Sequence, residues 1–258
     1  MVAPWRLIVD GAESGAHNMA LDRALLAGRA AGTSPPTLRL YRWKRATLSL
    51  GRFQDVSAVD LSEARVRGVD VVRRPTGGRA VLHDDELTYS VVASTTDGVP
   101  RGIVGSYRFF ASALVAAYRD LGVETQVANA TRGQSGSASC YLASTQADLV
   151  AGACKLSGSA QVWEHGAVLQ HGSFVVSRDV ELEAVLLRLT AKQEALLAAS
   201  TRTLADIMGS RPPIAQVEEA VVIGFESALG ITLEPGTFSD VELEAARHLD
   251  KRFRVCEP

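Results

Sequence analysis

Apolar positions along this chain recur at two spacings, and the change from one to the other sets its organisation. Leu7 to Val9 is a short apolar run that predicts a strand, and Thr37 to Trp43 alternates as a half-buried strand does. Thr47 to Gly51, Val69 to Val72 and Leu87 to Ala93 are further strand candidates. Within Asn18 to Ala27, residues Leu21, Ala24, Leu25 and Ala27 fall at helical spacing, and Leu61 to Val66 fits a short helix. Phe110, Leu114, Ala117 and Leu121 share one face of a longer helix that Gly122 can cap. Asn129 to Ser139, rich in Gly and Ser, reads as a loop. Asp148 to Ala151, Lys155 to Val162 and Ala167 to Val176 predict consecutive strands with short turns. From Glu181 the helical spacing takes over, at Leu182 to Leu197, Ile214 to Leu229 and Asp240 to Leu249. The pattern predicts an α+β fold: a mixed β-sheet with flanking helices, and a small, mainly helical C-terminal part over residues 181–258.

The length of 258 residues suits one domain, 1–258, with a sizeable core. Lys plus Arg number 27 and Asp plus Glu 29, so no basic excess points to nucleic acid. No apolar run reaches the length of a membrane span, and the N-terminal MVAPWRLIVDGAESG lacks the apolar region of a secretory signal. The three cysteines, Cys140, Cys154 and Cys256, are too few and odd in number for a disulfide framework. A soluble, cytoplasmic protein is expected, with Cys256 an exposed bystander near the chain end.

Two segments carry candidate chemistry. In RRPTGGRAVLHDDELTYS (Arg73 to Ser90), the paired Gly77 and Gly78 permit positive φ and close backbone approach. Successive N–H groups in such a turn can cradle an anion or a carbonyl, and the same glycines also fit a plain hairpin turn. The spacing is neither that of a Rossmann turn nor that of a P-loop. In KLSGSAQVWEHGAVLQHGS (Lys155 to Ser173), the small residues Ser157, Gly158, Ser159 and Ala160 leave room for a ligand along a strand. Lys155 by itself reads either as a ligand-facing cation or as a solvated edge lysine. His165 and His171 lack metal-ligand spacing, and His165 fits a turn. Cys140, after the polar loop, is by itself either a buried inert thiol or a nucleophile.

Taken together, these segments resemble the biotin/lipoate protein ligase A/B superfamily. NMALD (Asn18 to Asp22) and SLGRFQ (Ser49 to Gln54) extend the resemblance, which runs from about Trp5 to Phe253. It implies a catalytic core like that of class II aminoacyl-tRNA synthetases and biotin ligases. It also implies one of three activities: ATP-dependent lipoate ligation, octanoyl transfer from acyl carrier protein to a lipoyl-domain lysine, or acyl exchange between lipoyl domains. The form PTGGRAVLH, with Thr76 and Arg79 where ligases resemble SGGGAVFH, is similar to the cysteine-dependent octanoyltransferases. So is Cys140–Tyr141, fifteen residues before Lys155, and so is a chain end that leaves no room for the accessory domain of the larger ligases. Tyr141 in place of Phe and Cys154 before Lys155 depart from that pattern.

The resemblance then implies a reaction without cofactor or metal; ATP and Mg²⁺ enter only if the chain is a ligase. The donor is octanoyl-acyl carrier protein. The acceptor is a lipoyl-domain protein such as glycine cleavage H protein or the E2 of a 2-oxoacid dehydrogenase, with neither nucleic acid nor membrane involved. Cys140 is the expected nucleophile and Lys155 its cationic neighbour. Substrate contacts are expected from Arg73, Thr76, Gly77, Gly78, Arg79, Gly158, Ser159 and Ala160, and from His83, whose plainer reading is a structural hydrogen bond. Adjacent strand residues point oppositely, so Cys154 should face away from the ligand if Lys155 faces it. Burying the six methylenes of an octanoyl chain is worth about 5 kcal/mol, with Val72, Val81, Leu82 and Val162 as candidate lining or plain core. A member that binds acyl groups at a dead site remains the non-enzymatic alternative.

Overall fold

The computed structural model describes residues 4–128, 132–133, 138–144 and 148–256. Of the expected loop 129–139, residues 129–131 and 134–137 lie outside the described residues.

A mixed sheet of six strands forms the centre. Its order is β12 (Ser159–Glu164), β13 (Ala167–Val175), β6 (Glu86–Ser94), β2 (Thr37–Trp43), β1 (Trp5–Glu13) and β14 (Leu233–Pro235). β1 runs parallel to β2 and β14, and the other pairs are antiparallel. Alternation along β2 divides the molecule. Leu38 and Leu40 enter the main core with Phe110, Leu114, Phe174 and Phe225, whereas Tyr41 and Trp43 turn to the opposite side with Met19. Helices α3 (Ile103–Asp120) and α7 (Ile214–Leu229) cover the first face, and α1 (Gly15–Ala31) and α8 (Asp240–Phe253) the second. Both faces are covered, so every residue of the nine-residue strand β6 is buried.

A second sheet lies beside it in the order β15 (Arg254–Cys256), β4 (Asp70–Arg73), β3 (Thr47–Leu50) and β5 (Val81–His83). Its own core joins Leu48, Leu50 and Val71 to α2 (Leu61–Val66) and to Leu186 of α4 (Val180–Leu186). A three-stranded sheet of β7 (Gln126–Val127), β10 (Leu149–Ala151) and β11 (Cys154–Ser157), and a short pair of β8 (Arg132–Gly133) and β9 (Ala143–Ser144), complete the strands among the described residues. Helices α5 (Ala191–Ser200) and α6 (Leu204–Met208) complete the rear.

The α+β architecture with its mixed sheet and flanking helices is as the pattern predicts, with three refinements. The helix expected over Leu182 to Leu197 is two helices, because Arg188 adopts φ of +51° and Thr190 starts α5 with a capping box. The strand expected over Lys155 to Val162 breaks at Gly158 and serves two sheets, β11 in one and β12 in another. The rear is not only helical: β14 extends the central sheet and β15 the second. Cys256, expected to be exposed, is therefore buried in the second core. Arg6 of β1 meets Glu242 of α8 at 2.7 Å, tying front to rear. Among the described residues, no helix is long and apolar enough to cross a membrane.

Candidate active site

Between the two sheets lies a narrow cleft. Its walls come from β2 (Tyr41, Trp43), the β12–β13 hairpin (Ser159, Ala160, His171, Gly172), the second sheet (Ser49, Val81, His83) and the glycine turn (Arg74, Gly78), with Met19 below and Cys140 at one side. The sheets thus bring together residues that stand more than a hundred positions apart in sequence.

Cys140 is fixed on both sides of its peptide unit. Its N–H donates to Ala80 O at 2.9 Å, so the cysteine segment docks along the strand end that follows the glycine turn. Its carbonyl accepts from Lys155 Nζ at 3.0 Å, and the same ammonium lies 3.7 Å from Cys140 Sγ. Lys155 leaves β11 beneath the cleft and is only 3 % exposed. Asp148, equally buried, faces it at 3.0 Å. Gly158 leaves room for this packing: a Cβ there would come within 3.2 Å of Lys155 Nζ and 3.1 Å of Asp148 Oδ1. Cys154 points the other way, its Sγ 3.6 Å from Ala199 O, as strand alternation predicts.

The glycine turn is held from within. Arg74, buried at 4 % exposure, donates to Gly77 O, Arg79 O, Ser49 O and Ser49 Oγ at 2.7–3.2 Å. Burial lowers the pKa of its guanidinium, and the charge of a Cys140 thiolate would pull it back up. Gly78 sits at φ of +94° and touches the neighbouring loop so closely that a Cβ on Gly51 would lie 1.9 Å from Gly78 O. Arg73 faces away from this turn. Its Nη1 holds the carbonyls of Gly51, Arg52 and Gln54, so the structure gives it a loop to organise rather than a wall of the cleft.

Two carboxylate–imidazole–hydroxyl chains stand in the cleft walls. His83 accepts or donates at Ser49 Oγ (2.8 Å) through Nε2 and meets Glu86 Oε1 (2.8 Å) through Nδ1, with its ring stacked on Trp43 at 4.2 Å. Burial opposes ionisation of Glu86, yet His83 and the hydroxyls of Ser173 and Thr88 outweigh it and hold the carboxyl below its usual range. His171 repeats the arrangement, with Thr76 Oγ1 at 2.7 Å from Nε2 and Asp22 Oδ2 at 3.1 Å from Nδ1. Burial pushes His171 below its ordinary value against the pull of Asp22, so the ring is neutral near pH 7. Burial also opposes the charge on Asp22, but the His171 hydrogen bond and the Arg39 guanidinium hold it lowered.

Of the residues singled out from sequence, Cys140, Gly78, His83, Gly158, Ser159 and Ala160 converge on the cleft, and Lys155 reaches Cys140 from beneath it. Thr76 and Gly77 support the turn through His171 and Arg74, and Arg79 contributes its carbonyl. Of the apolar lining candidates only Val81 faces the cleft; Val72 and Leu82 belong to packed cores, and Val162 packs beside α1. Sequence reasoning missed Arg74, His171, Asp22 and Asp148. Arg74 stands one residue past the end of β4, where its side chain holds the glycine turn while that of Arg73 holds the neighbouring loop. Asp22 and His171 both lie inside the segments that carry the resemblance.

Residues 14–226 match the family described as lipoyl protein ligase A/B catalytic domain. The chain is 40 % identical to a protein of Kyrpidia tusciae named octanoyltransferase LipM, covering 98 % of this chain and 97 % of that one. It is 33 % identical to an octanoyltransferase LipM of Staphylococcus aureus, covering 100 % and 98 %. Among solved structures it is similar to a lipoate–protein ligase A bound with ATP, at a TM-score of 0.80 and 27 % identity over 97 % of this chain and 95 % of that one. It is also similar to a bipartite lipoate–protein ligase of Thermoplasma acidophilum, at 0.79 and 25 % over 96 % and 92 %.

Proposed function

Because the chain belongs to the lipoyl protein ligase A/B catalytic domain family, we propose that it acts as an octanoyltransferase of lipoate biosynthesis and that Cys140 carries the acyl group. The observation that supports this role for Cys140 is the Lys155 ammonium, set against both its thiol and its carbonyl at the wall of an enclosed cleft.

The reaction divides into two balanced transfers. Cys140 thiolate attacks the carbonyl of the octanoyl thioester; the new C–S bond forms as the old one breaks, and the donor leaves as its thiolate, which takes a proton from water. A neutral lysine amine of the acceptor then attacks the Cys140 thioester. The amide C–N bond forms, the C–S bond to Cys140 breaks and its electron pair stays on the Cys140 sulfur, and the amine's proton passes to water. Both steps raise negative charge on the carbonyl oxygen. Lys155 and the N–H groups around Gly77 and Gly78 are the donors assigned to it, rigidly held and largely out of water. Gly158, Ser159 and Ala160 give the acyl chain room along the sheet.

The donor in this reading is octanoyl-acyl carrier protein, and the acceptor is a lipoyl-domain lysine of an H protein or E2 subunit. The thioester is already activated, so neither ATP nor Mg²⁺ takes part, and a reduced cytoplasmic thiol suits the chemistry. The test is transfer of octanoate from its carrier protein to an apo lipoyl domain without nucleotide. Transfer by the wild type and none by Cys140→Ala is expected. Modification that requires ATP, Mg²⁺ and free acid, and that survives Cys140→Ala, would make the chain a ligase.

A further inference from the structure

Cys140 is the middle residue of a turn that its neighbours close. Tyr141 N–H donates to Ser139 Oγ at 3.2 Å, which bends the backbone around Cys140. A serine hydroxyl has a single proton, and here it goes to Glu183 Oε1 at 2.6 Å. The carboxylate thereby turns the oxygen lone pairs of Ser139 toward Tyr141. Glu183 is fully buried on α4, part of the rear segment that the motifs do not include. Its other oxygen pairs with Arg178, whose guanidinium lies 3.5 Å from the Tyr141 ring centre. Burial opposes the charge on Arg178, but Glu183 outweighs it and raises the arginine further.

Both flanks of Cys140 are therefore tied to one carboxylate: Ser139 directly, and Tyr141 through Arg178. The remaining hydrogen bonds of Cys140 run to Ala80 O and Lys155 Nζ. We propose that Glu183 is the positioning residue of the nucleophile, orienting the Ser139 hydroxyl so that the turn presents the Cys140 thiol to Lys155. The proposal rests on the transferase reading and names a component of the same site. It also assigns the rear segment a catalytic purpose: α4 sets the acyl-carrying turn.

The test measures octanoylation of Cys140 by a small octanoyl thioester under single-turnover conditions, in Glu183→Ala, Glu183→Gln, Ser139→Ala and the Glu183→Ala/Ser139→Ala double variant. Thermal midpoints are read alongside. Glu183→Ala and Ser139→Ala should each lower the maximal acylation rate by about ten- to a hundredfold, with the half-saturating donor concentration unchanged. Glu183→Gln keeps an acceptor oxygen and should recover most of the rate. The double variant should be no slower than the slower single one, because both act through one hydroxyl. If Glu183→Ala does not fold, Ser139→Ala, which removes one oxygen, carries the comparison. A Ser139→Ala protein that keeps its thermal midpoint and acylates at the wild-type rate would overturn the proposal. So would losses that multiply in the double variant. A wild type that takes up no octanoyl group at all would overturn the transferase reading itself, and this inference with it.

Discussion

Lys155 Nζ stands 3.7 Å from Cys140 Sγ and 3.0 Å from the carbonyl oxygen of the same residue, with Asp148 Oδ2 at 3.0 Å on its other side. The ammonium thus bridges Cys140 and a buried carboxylate. It orients the Cys140 peptide, lies beside the thiol, and is held in place by Asp148 and by the absence of a side chain at Gly158. Lys155→Met is expected to lower the acylation rate by about a hundred- to a thousandfold, the usual loss of a preorganised oxyanion donor. Lys155→Arg should not restore it, because the guanidinium fork is larger than the space beside Gly158. Combining Lys155→Met with Asp148→Asn should regain stability and leave the rate low. Thermal melts and single-turnover acylation of the same variants separate the two effects.

Gly51 and Gly158 are expected to fail in different ways. A Cβ on Gly51 would overlap the backbone oxygen of Gly78, which no rotamer can relieve. Gly51→Ala should therefore destabilise the protein by more than about 2 kcal/mol. A Cβ on Gly158 meets the flexible end of Lys155 and the carboxylate of Asp148, each at a few tenths of an ångström inside ordinary contact. Gly158→Ala should melt near the wild type yet acylate more slowly, since it shifts the lysine. Urea unfolding and acylation kinetics on the two variants check the contrast.

Arg74→Lys should loosen the glycine turn. Arg74 satisfies three carbonyls and a hydroxyl with one planar group, and a single ammonium cannot reach them all. The expected loss is about 2–4 kcal/mol of stability together with slower acylation. Arg73→Lys, which touches the neighbouring loop, should cost less in rate; the same two measurements rank them.

The Asp22–His171 pair makes stability depend on pH. His171 has a lower pKa folded than unfolded, so the unfolded chain binds the extra proton first as pH falls below about 6.5. Stability should then fall with falling pH, by no more than about 1.4 kcal/mol per unit for this one proton. Asp22, also lowered, adds a second loss in the same direction once the pH nears the carboxylate range. His171→Gln should flatten the first part of the slope and weaken the second, because it takes away the imidazole that helps hold Asp22 lowered and leaves the Arg39 share. Urea titrations from pH 7 to pH 4 measure both.

Much of this site was readable before folding, and the unread part has a common cause. Thr37 to Trp43, Leu61 to Val66 and Ile214 to Leu229 form the elements their periodicity predicts, with the same ends. The structure brings Cys140 and Lys155 together, and Cys154 turns away as alternation requires. Arg74 was passed over for Arg73, although one position decides which arginine enters a turn and which grips a loop. The partnerships of His171 with Asp22 and of Ser139 with Glu183 link positions far apart in the chain. No local spacing encodes them; they arise only when β13 and α4 pack beside the glycine turn and the cysteine turn. The exposed ending expected for Cys256 failed for the same reason, since β15 pairs with β4 from across the whole chain.

In the proposed transfer Cys140 itself carries the acyl group. Intact-mass measurement of the protein mixed with octanoyl-acyl carrier protein, without nucleotide, tests it directly. The wild type should gain the mass of one octanoyl group, located by peptide mapping on Cys140, and lose it when an apo lipoyl domain is added. An unmodified wild type, or an adduct that forms equally on Cys140→Ala, would contradict the account.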